Sequence, residues 1–270
     1  MGNTYSEYLY HYTSVSSLAM ILKNRNIRFS PLTVLDDMEE EKNQDLQRYA
    51  KWVFVSSWTD CAEESIPMWK MYTSQTDGVR IKLPKNPFCN YKLTTEHFNE
   101  INKMLSVSNV DIDIVIPPEE FINSTYYLIN YHQNHLLHQV TYTDDKGKLF
   151  PRIKEVTNEG LTFTSSKLGL YKNTFWSFQN EWRYVLYFIP ISLQNILMNP
   201  LHPNLRNIFT CVDLPFTYYY LNLDELKFND MEITLSPQIS DGNRLIVSLL
   251  VEKYAPTARI MESELLGKIR

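Results

Sequence analysis

LYHYTSVSSLAMILKNRNIRFSP, running from Leu9 to Pro31, carries in miniature the pattern that decides the fold. Leu9 to Tyr12 reads as a short apolar-aromatic strand. Ser16 or Ser17 then caps a helix in which Leu18, Ile21 and Leu22 recur at helical spacing. Ile27 to Phe29 makes a second short strand, stopped by Ser30-Pro31. Short strands alternating with capped helices continue to Leu83. They predict an α+β fold with a mixed, mainly antiparallel sheet, split into two packed halves with helices outside.

Working outward, an acidic turn, Asp36-Asp37-Met38-Glu39-Glu40, leads into an expected polar helix through about Tyr49. Val53 to Ser56 is a buried strand opening into Ser57-Trp58-Thr59. Ser65 and Pro67 occupy cap and early-helix positions for Met68, Trp69 and Tyr72. Gly78 turns the chain into Val79 to Leu83, which alternates as a half-buried strand should. Residues 85–139 are less regular and read as an insertion within a single domain over 1–270, mostly helical near its end. Further strands are expected at Val140 to Tyr142, Trp182 to Phe188, Ile208 to Val212 and Ile233 to Leu235. A terminal helix from about Arg244 to Lys253 precedes a last strand at Arg259 to Met261.

The bulk numbers exclude several classes. With 270 residues, 44% hydrophobic and 21% charged, the chain can bury a substantial core and is not disordered. Only seven glycines occur, against 18 tyrosines, which suits strand packing and disfavours glycine-built phosphate loops. A formal net charge of −5 gives no general cationic excess for non-specific nucleic-acid binding. Cys61, Cys89 and Cys211 are too few and too widely spaced for a disulfide framework or a zinc cluster. No charged leader precedes an apolar stretch, and no apolar run approaches the ~20 residues of a membrane helix, so a cytoplasmic protein without membrane contact is expected. The short Met1-Gly2 and Asn123-Ser124-Thr125 patterns carry no weight. Walker, G-x-G-x-x-G, H-E-x-x-H, C-x-x-C and G-x-S-x-G motifs are all absent. His132, His135 and His138 would diverge around a helix with no carboxylate to complete a set, so no metal is expected there.

Four segments resemble a large bacterial family known as domain of unknown function 2971. They are Leu9 to Ser14; Ile27 to Pro31 running into Leu35 to Glu40; Val53 to Ser57 with Met68-Trp69 and Tyr72 through Gly78; and Tyr171-Lys172 with Trp176 and Asn180-Glu181-Trp182-Arg183. The family's N-D-P-x-x-E-like turn is altered, with Asp36 and Met38 where Asn and Pro are usual. The insertion after Pro84 looks particular to this chain. The family is in turn similar to the ADP-ribosyltransferase fold, with a His in an early strand, a Ser-containing middle strand and a late Glu.

The resemblance implies that His11, Tyr12 and Thr13 hold the ribose side of NAD. It also implies that Ser56 and Ser57 brace the site and that Glu181 is the catalytic carboxylate, with Gln179 orienting the acceptor. Tyr72, Trp69 or Tyr12 would provide an aromatic platform for the nicotinamide. Cleaving the nicotinamide–ribose bond builds positive charge at the ribose, which a fixed carboxylate stabilises. NAD would then be a substrate, with a protein or nucleic acid as acceptor and a bacterial partner protein in a toxin or phage-defence setting. Water as acceptor would make the protein an NAD glycohydrolase, and loss of turnover would leave a sensor or interaction module. Each residue has an ordinary reading too. Glu181 and Arg183 share a strand face and could be only a surface ion pair. His11 could be a satisfied core histidine, Ser56 and Ser57 plain strand residues, Trp69 and Tyr72 core. The Asp36 to Glu40 cluster could be only a solvated helix start.

Overall fold

The computed structural model describes residues 6–74, 76–98, 109–157, 160–164, 167–198 and 212–269. Its centre is a ten-stranded sheet. In chain order the strands are β1 (Tyr8–Ser14), β2 (Asn26–Pro31), β3 (Val53–Thr59), β4 (Gly78–Pro84) and β5 (Tyr127–Leu128). They continue with β6 (Leu137–Gln139), β7 (Glu181–Ile189), β8 (Tyr219–Asn222), β9 (Glu232–Leu235) and β10 (Arg259–Met261). All pairings in this sheet are antiparallel except β9 with β10. The expected α+β class and mainly antiparallel sheet therefore hold.

The sheet forks at β3. One edge of β3 pairs with β7 along its whole length, from Glu181 opposite Thr59 to Tyr187 opposite Val53. The other edge is shared. β2 takes its first half, at Phe54 and Val55, and β1 touches it at Thr59. From there β1 runs on into β4, β9 and β10, while β2 carries β8. The backbone of β3 is left open between the two branches, and that gap is where the cleft forms.

Both faces of β7 are covered, which is why EWRYVLYFI reads as almost unbroken apolar sequence after its charged start. Tyr184, Leu186 and Phe188 point into the larger core, with Leu18, Ile21 and Leu22 of helix α1 (Val15–Asn24) and Val247 and Val251 of the terminal helix. Val185 and Tyr187 point the other way, onto Leu32, Tyr49, Trp52, Ile153 and Leu168. Glu181 and Arg183 lie on this second face by strand alternation, so both charges are carried inward.

Local differences from the sequence expectation have physical causes. The α1 cap is Ser14, whose Oγ accepts from Ser17 N at 3.1 Å, rather than Ser16 or Ser17. The terminal helix begins earlier, at Asp241, because Ser240 accepts from Asn243 N. The polar helix expected through Tyr49 does not form, and a 3-10 helix at Gln47–Trp52 follows a run of turns. There the polar side chains bind backbone instead: Asp37 accepts from Glu39 N, and Asn43 from Asp45 N and Leu46 N. The end of the 85–139 segment is strand and 3-10 turn rather than helix, because β6 completes the free edge of β7. His132 precedes that turn, His135 is its last residue and His138 lies in β6. Thr141–Tyr142 forms only a two-residue strand, parallel to Tyr171–Lys172. The strand expected at Ile208 to Val212 lies outside the described residues up to 211, and Val212 is not in a strand. Among the described residues no helix is long and apolar enough to cross a membrane.

Candidate functional site

At the fork, His11 settles a backbone debt that the sheet leaves open. Its Nδ1 lies 2.8 Å from Ser57 O, a carbonyl on the stretch of β3 edge between β2 and β1. A carbonyl only accepts, so Nδ1 carries the proton. Burial lowers the imidazole pKa; the Ser57 hydrogen bond opposes this, and the Arg28 charge adds to the lowering. The ring is held neutral, and Nε2 keeps its lone pair. It packs on Trp58 with ring centroids 5.0 Å apart.

The cleft beside it is open to solvent and spans about 550 Å³ with its open mouth included. Its walls are Tyr10, His11 and Tyr12 of β1, Ser57 and Trp58 of β3, and Met68 and Tyr72 of helix α2 (Ile66–Tyr72). Leu35, Asp36 and Glu40 come from the loop after β2, and Lys172, Gln179, Glu181 and Arg183 close the floor. Of the residues singled out from sequence, His11, Tyr12, Ser57, Tyr72, Gln179 and Glu181 meet here. Thr13, Ser56 and Trp69 do not line the cleft. Thr13 is buried in β1 opposite Val79. Ser56 points to the opposite face from Ser57, its Oγ accepting from Trp58 Nε1. Trp69 stands edge-on to Tyr12 and donates Nε1 to Glu64.

Glu181 and Arg183 are not a surface pair: they are 4% and 1% exposed. Arg183 donates Nε to Glu181 Oε1 at 2.6 Å and one terminal nitrogen to Glu181 Oε2 at 3.1 Å. The guanidinium also grips both oxygens of Glu40 and donates to Gly169 O. Lys172 Nζ lies 3.1 Å from Glu181 and 3.4 Å from Glu40. Two carboxylates and two cations thus cancel inside the protein, the arrangement a buried charge requires. Burial alone would raise the Glu181 pKa, but the Arg183 and Lys172 charges outweigh it and hold the carboxyl well below its usual range. Glu181 N, which begins β7, donates to Tyr142 OH.

A directed chain of hydrogen bonds runs from this network to the cleft. An ammonium only donates, so Lys172 Nζ gives a proton to Gln179 Oε1 at 2.8 Å, which fixes the amide orientation. Gln179 Nε2 then donates to Tyr72 OH. Burial raises the Tyr72 pKa, and the charges of Glu181 and Asp36 raise it further, so the phenol stays protonated. Its oxygen is already accepting, which leaves its own O–H to be donated to a ligand. The cleft presents a donor at Tyr72, an acceptor at His11 Nε2, and aromatic walls. Gln179 itself is buried and committed on both amide atoms.

Asn180 makes the turn between Gln179 and Glu181, with φ 43° in the left-handed region. Asn and Gly tolerate this and branched residues do not. Asn180→Gly should fold normally, whereas Asn180→Val should cost about 1–2 kcal/mol in a urea titration.

The buried imidazole also has a pH signature. Its folded pKa lies below 6.5, its ordinary value. Protonation therefore favours the unfolded chain, and the stability that His11 contributes is complete above about pH 6.5 and lost as pH falls below it. His11→Asn keeps a donor near the Nδ1 position but has no titrating group. Urea midpoints at pH 7.5 and 5.5 should fall less on acidification for this variant than for the unaltered protein. His138 is shifted down by burial in the same direction, so the difference between the two proteins isolates His11.

Sequence reasoning did not find Glu40, Lys172, Tyr10 or Trp58 as members of the site. Glu40 and Lys172 stood inside quoted motifs, but neither spacing nor residue type shows that they meet.

Residues 68–184 match the model of a family described as protein of unknown function (DUF2971), the family that the sequence resembles. The matched stretch contains Tyr72, Lys172, Gln179, Glu181 and Arg183, while His11 and Glu40 lie before it. No curated protein and no solved structure shows a significant match to the chain.

Proposed function

We propose that the protein is NAD-directed and ADP-ribosyltransferase-like, transferring ADP-ribose to a protein or nucleic-acid acceptor. The observation that carries this reading is convergence: His11, Tyr72 and Glu181, far apart in sequence, line one cleft at the fork of the sheet. The chemistry fits the parts. His11 Nε2 and the Tyr72 hydroxyl offer an acceptor and a donor for the ribose hydroxyls or the carboxamide of nicotinamide. Tyr12 and Tyr72 supply flat apolar surface for the ring. Glu181 stays ionised and is fixed in place, as a stabiliser of positive charge developing on the ribose must be.

Hydrolysis of NAD by the same site is the second reading. Gln179 is tied to Lys172 and Tyr72, so it is not free to orient an acceptor, and water needs less orientation than a macromolecule. A toxin or phage-defence setting with a bacterial partner protein is supported by the family resemblance alone. The test is incubation with NAD radiolabelled on the adenylate, with and without bacterial lysate. Label on a macromolecule supports transfer, free ADP-ribose supports hydrolysis, and intact NAD in both arms rejects the proposal.

A further inference from the structure

Among the described residues, three carboxylates line the cleft: Asp36, Glu40 and Glu181. Glu40 is gripped at both oxygens by Arg183, and Glu181 binds Arg183 and Lys172. Neither can take a proton without unbalancing a buried, charge-neutral cluster. Gln179, two residues before Glu181, has both amide atoms engaged. Asp36 differs from all of these. It is exposed on the rim loop, and among the described residues it makes no ion pair or hydrogen bond. It lines the same cleft as Tyr72, the donor left for a ligand.

Resting on the NAD-directed reading above, we infer that Asp36 is the general base that receives the proton of the attacking nucleophile. The nucleophile's oxygen or nitrogen forms a bond to the ribose C1′ of NAD. The C1′–N bond to nicotinamide breaks, and its electron pair stays on the ring nitrogen, which becomes neutral. The proton released by the nucleophile passes to the Asp36 carboxylate and later to solvent. Glu181 remains ionised throughout. An exposed rim position suits this role, because the proton must leave for water after each turnover.

The test measures nicotinamide release from NAD by the full chain, the Asp36→Asn variant and the His11→Asn variant, across pH 5 to 9. Asp36→Asn should lower kcat by about two orders of magnitude or more, the scale of general-base contributions, with KM and the melting midpoint little changed. Azide, an anion with no proton to lose, should restore the rate of Asp36→Asn toward that of the unaltered protein. If His11→Asn is slowed while Asp36→Asn keeps the full rate and pH profile, the assignment of Asp36 alone fails. A loss that azide does not restore also overturns the base role. If the unaltered protein releases no nicotinamide, the NAD-directed reading fails and takes this assignment with it.

Discussion

Arg183→Met is expected to be the most destabilising single substitution near the cleft, lowering stability by about 3–5 kcal/mol. The side chain is 1% exposed and holds together Glu40 and Glu181, which would be left buried with Lys172 as their only partner in the cluster. An uncompensated buried charge costs far more than the pair contributed when intact. For a chain of this size the melting midpoint should drop by roughly 10 °C. The charge-balanced double variant Glu40→Gln with Lys172→Met removes one charge of each sign. It should lose less than the sum of its two single variants, by roughly 0.5–3 kcal/mol of coupling. A melting midpoint for Arg183→Met within two or three degrees of the parent would mean that the cluster is hydrated and not the closed network described here.

The second large effect is on turnover. Glu181→Gln should lower NAD consumption by about two orders of magnitude or more, the scale of a lost electrostatic stabiliser. As half of a surface ion pair, the ordinary reading of the sequence, Glu181 would matter little to folding, and the buried network overturns that reading. With Glu181 neutral, Arg183 and Lys172 face Glu40 alone, so stability should also fall by several kcal/mol. The double variant Glu181→Gln with Lys172→Met separates the two effects. It restores charge balance around Glu40 and Arg183 and should regain much of the lost stability. It should not regain turnover, because the carboxylate proposed to stabilise the ribose is still missing. Recovery of both together would make Glu181 a purely structural residue.

What was legible in the sequence follows from which forces act locally. β1, β2, β4 and β7 were placed to within a residue or two, and the start of β3 was placed although its end runs on to Thr59, because alternation, caps and prolines act over a few residues. The segment after Glu40 misled for the same reason in reverse. Asp37 and Asn43 look compatible with a polar helix, but their side chains bind nearby backbone and hold turns instead. β6 was missed because three residues have no period of their own, and only the unpaired edge of β7 makes them a strand. At the site, the strand-borne residues His11, Ser57 and Glu181 were recognisable from motif order. Ser56 was grouped with Ser57, although strand alternation sends the two to opposite faces. The exposure of the Glu181–Arg183 pair could not be read from a two-residue spacing. That spacing reports a shared face, and whether the face is wet or covered depends on Glu40 and Lys172 arriving from elsewhere in the chain.

We propose that the cleft at the fork acts on NAD through the unprotonated His11 Nε2 and its neighbours. That proposal is tested most directly by nicotinamide release from NAD by the purified full chain and by His11→Asn, at equal concentration and pH 7.5. Asn keeps a donor for Ser57 O and removes the Nε2 acceptor, so folding should be preserved. The expected result is steady release by the unaltered protein and a large loss in the variant at an unchanged melting midpoint. Equal release from both proteins, or none from either, would contradict it.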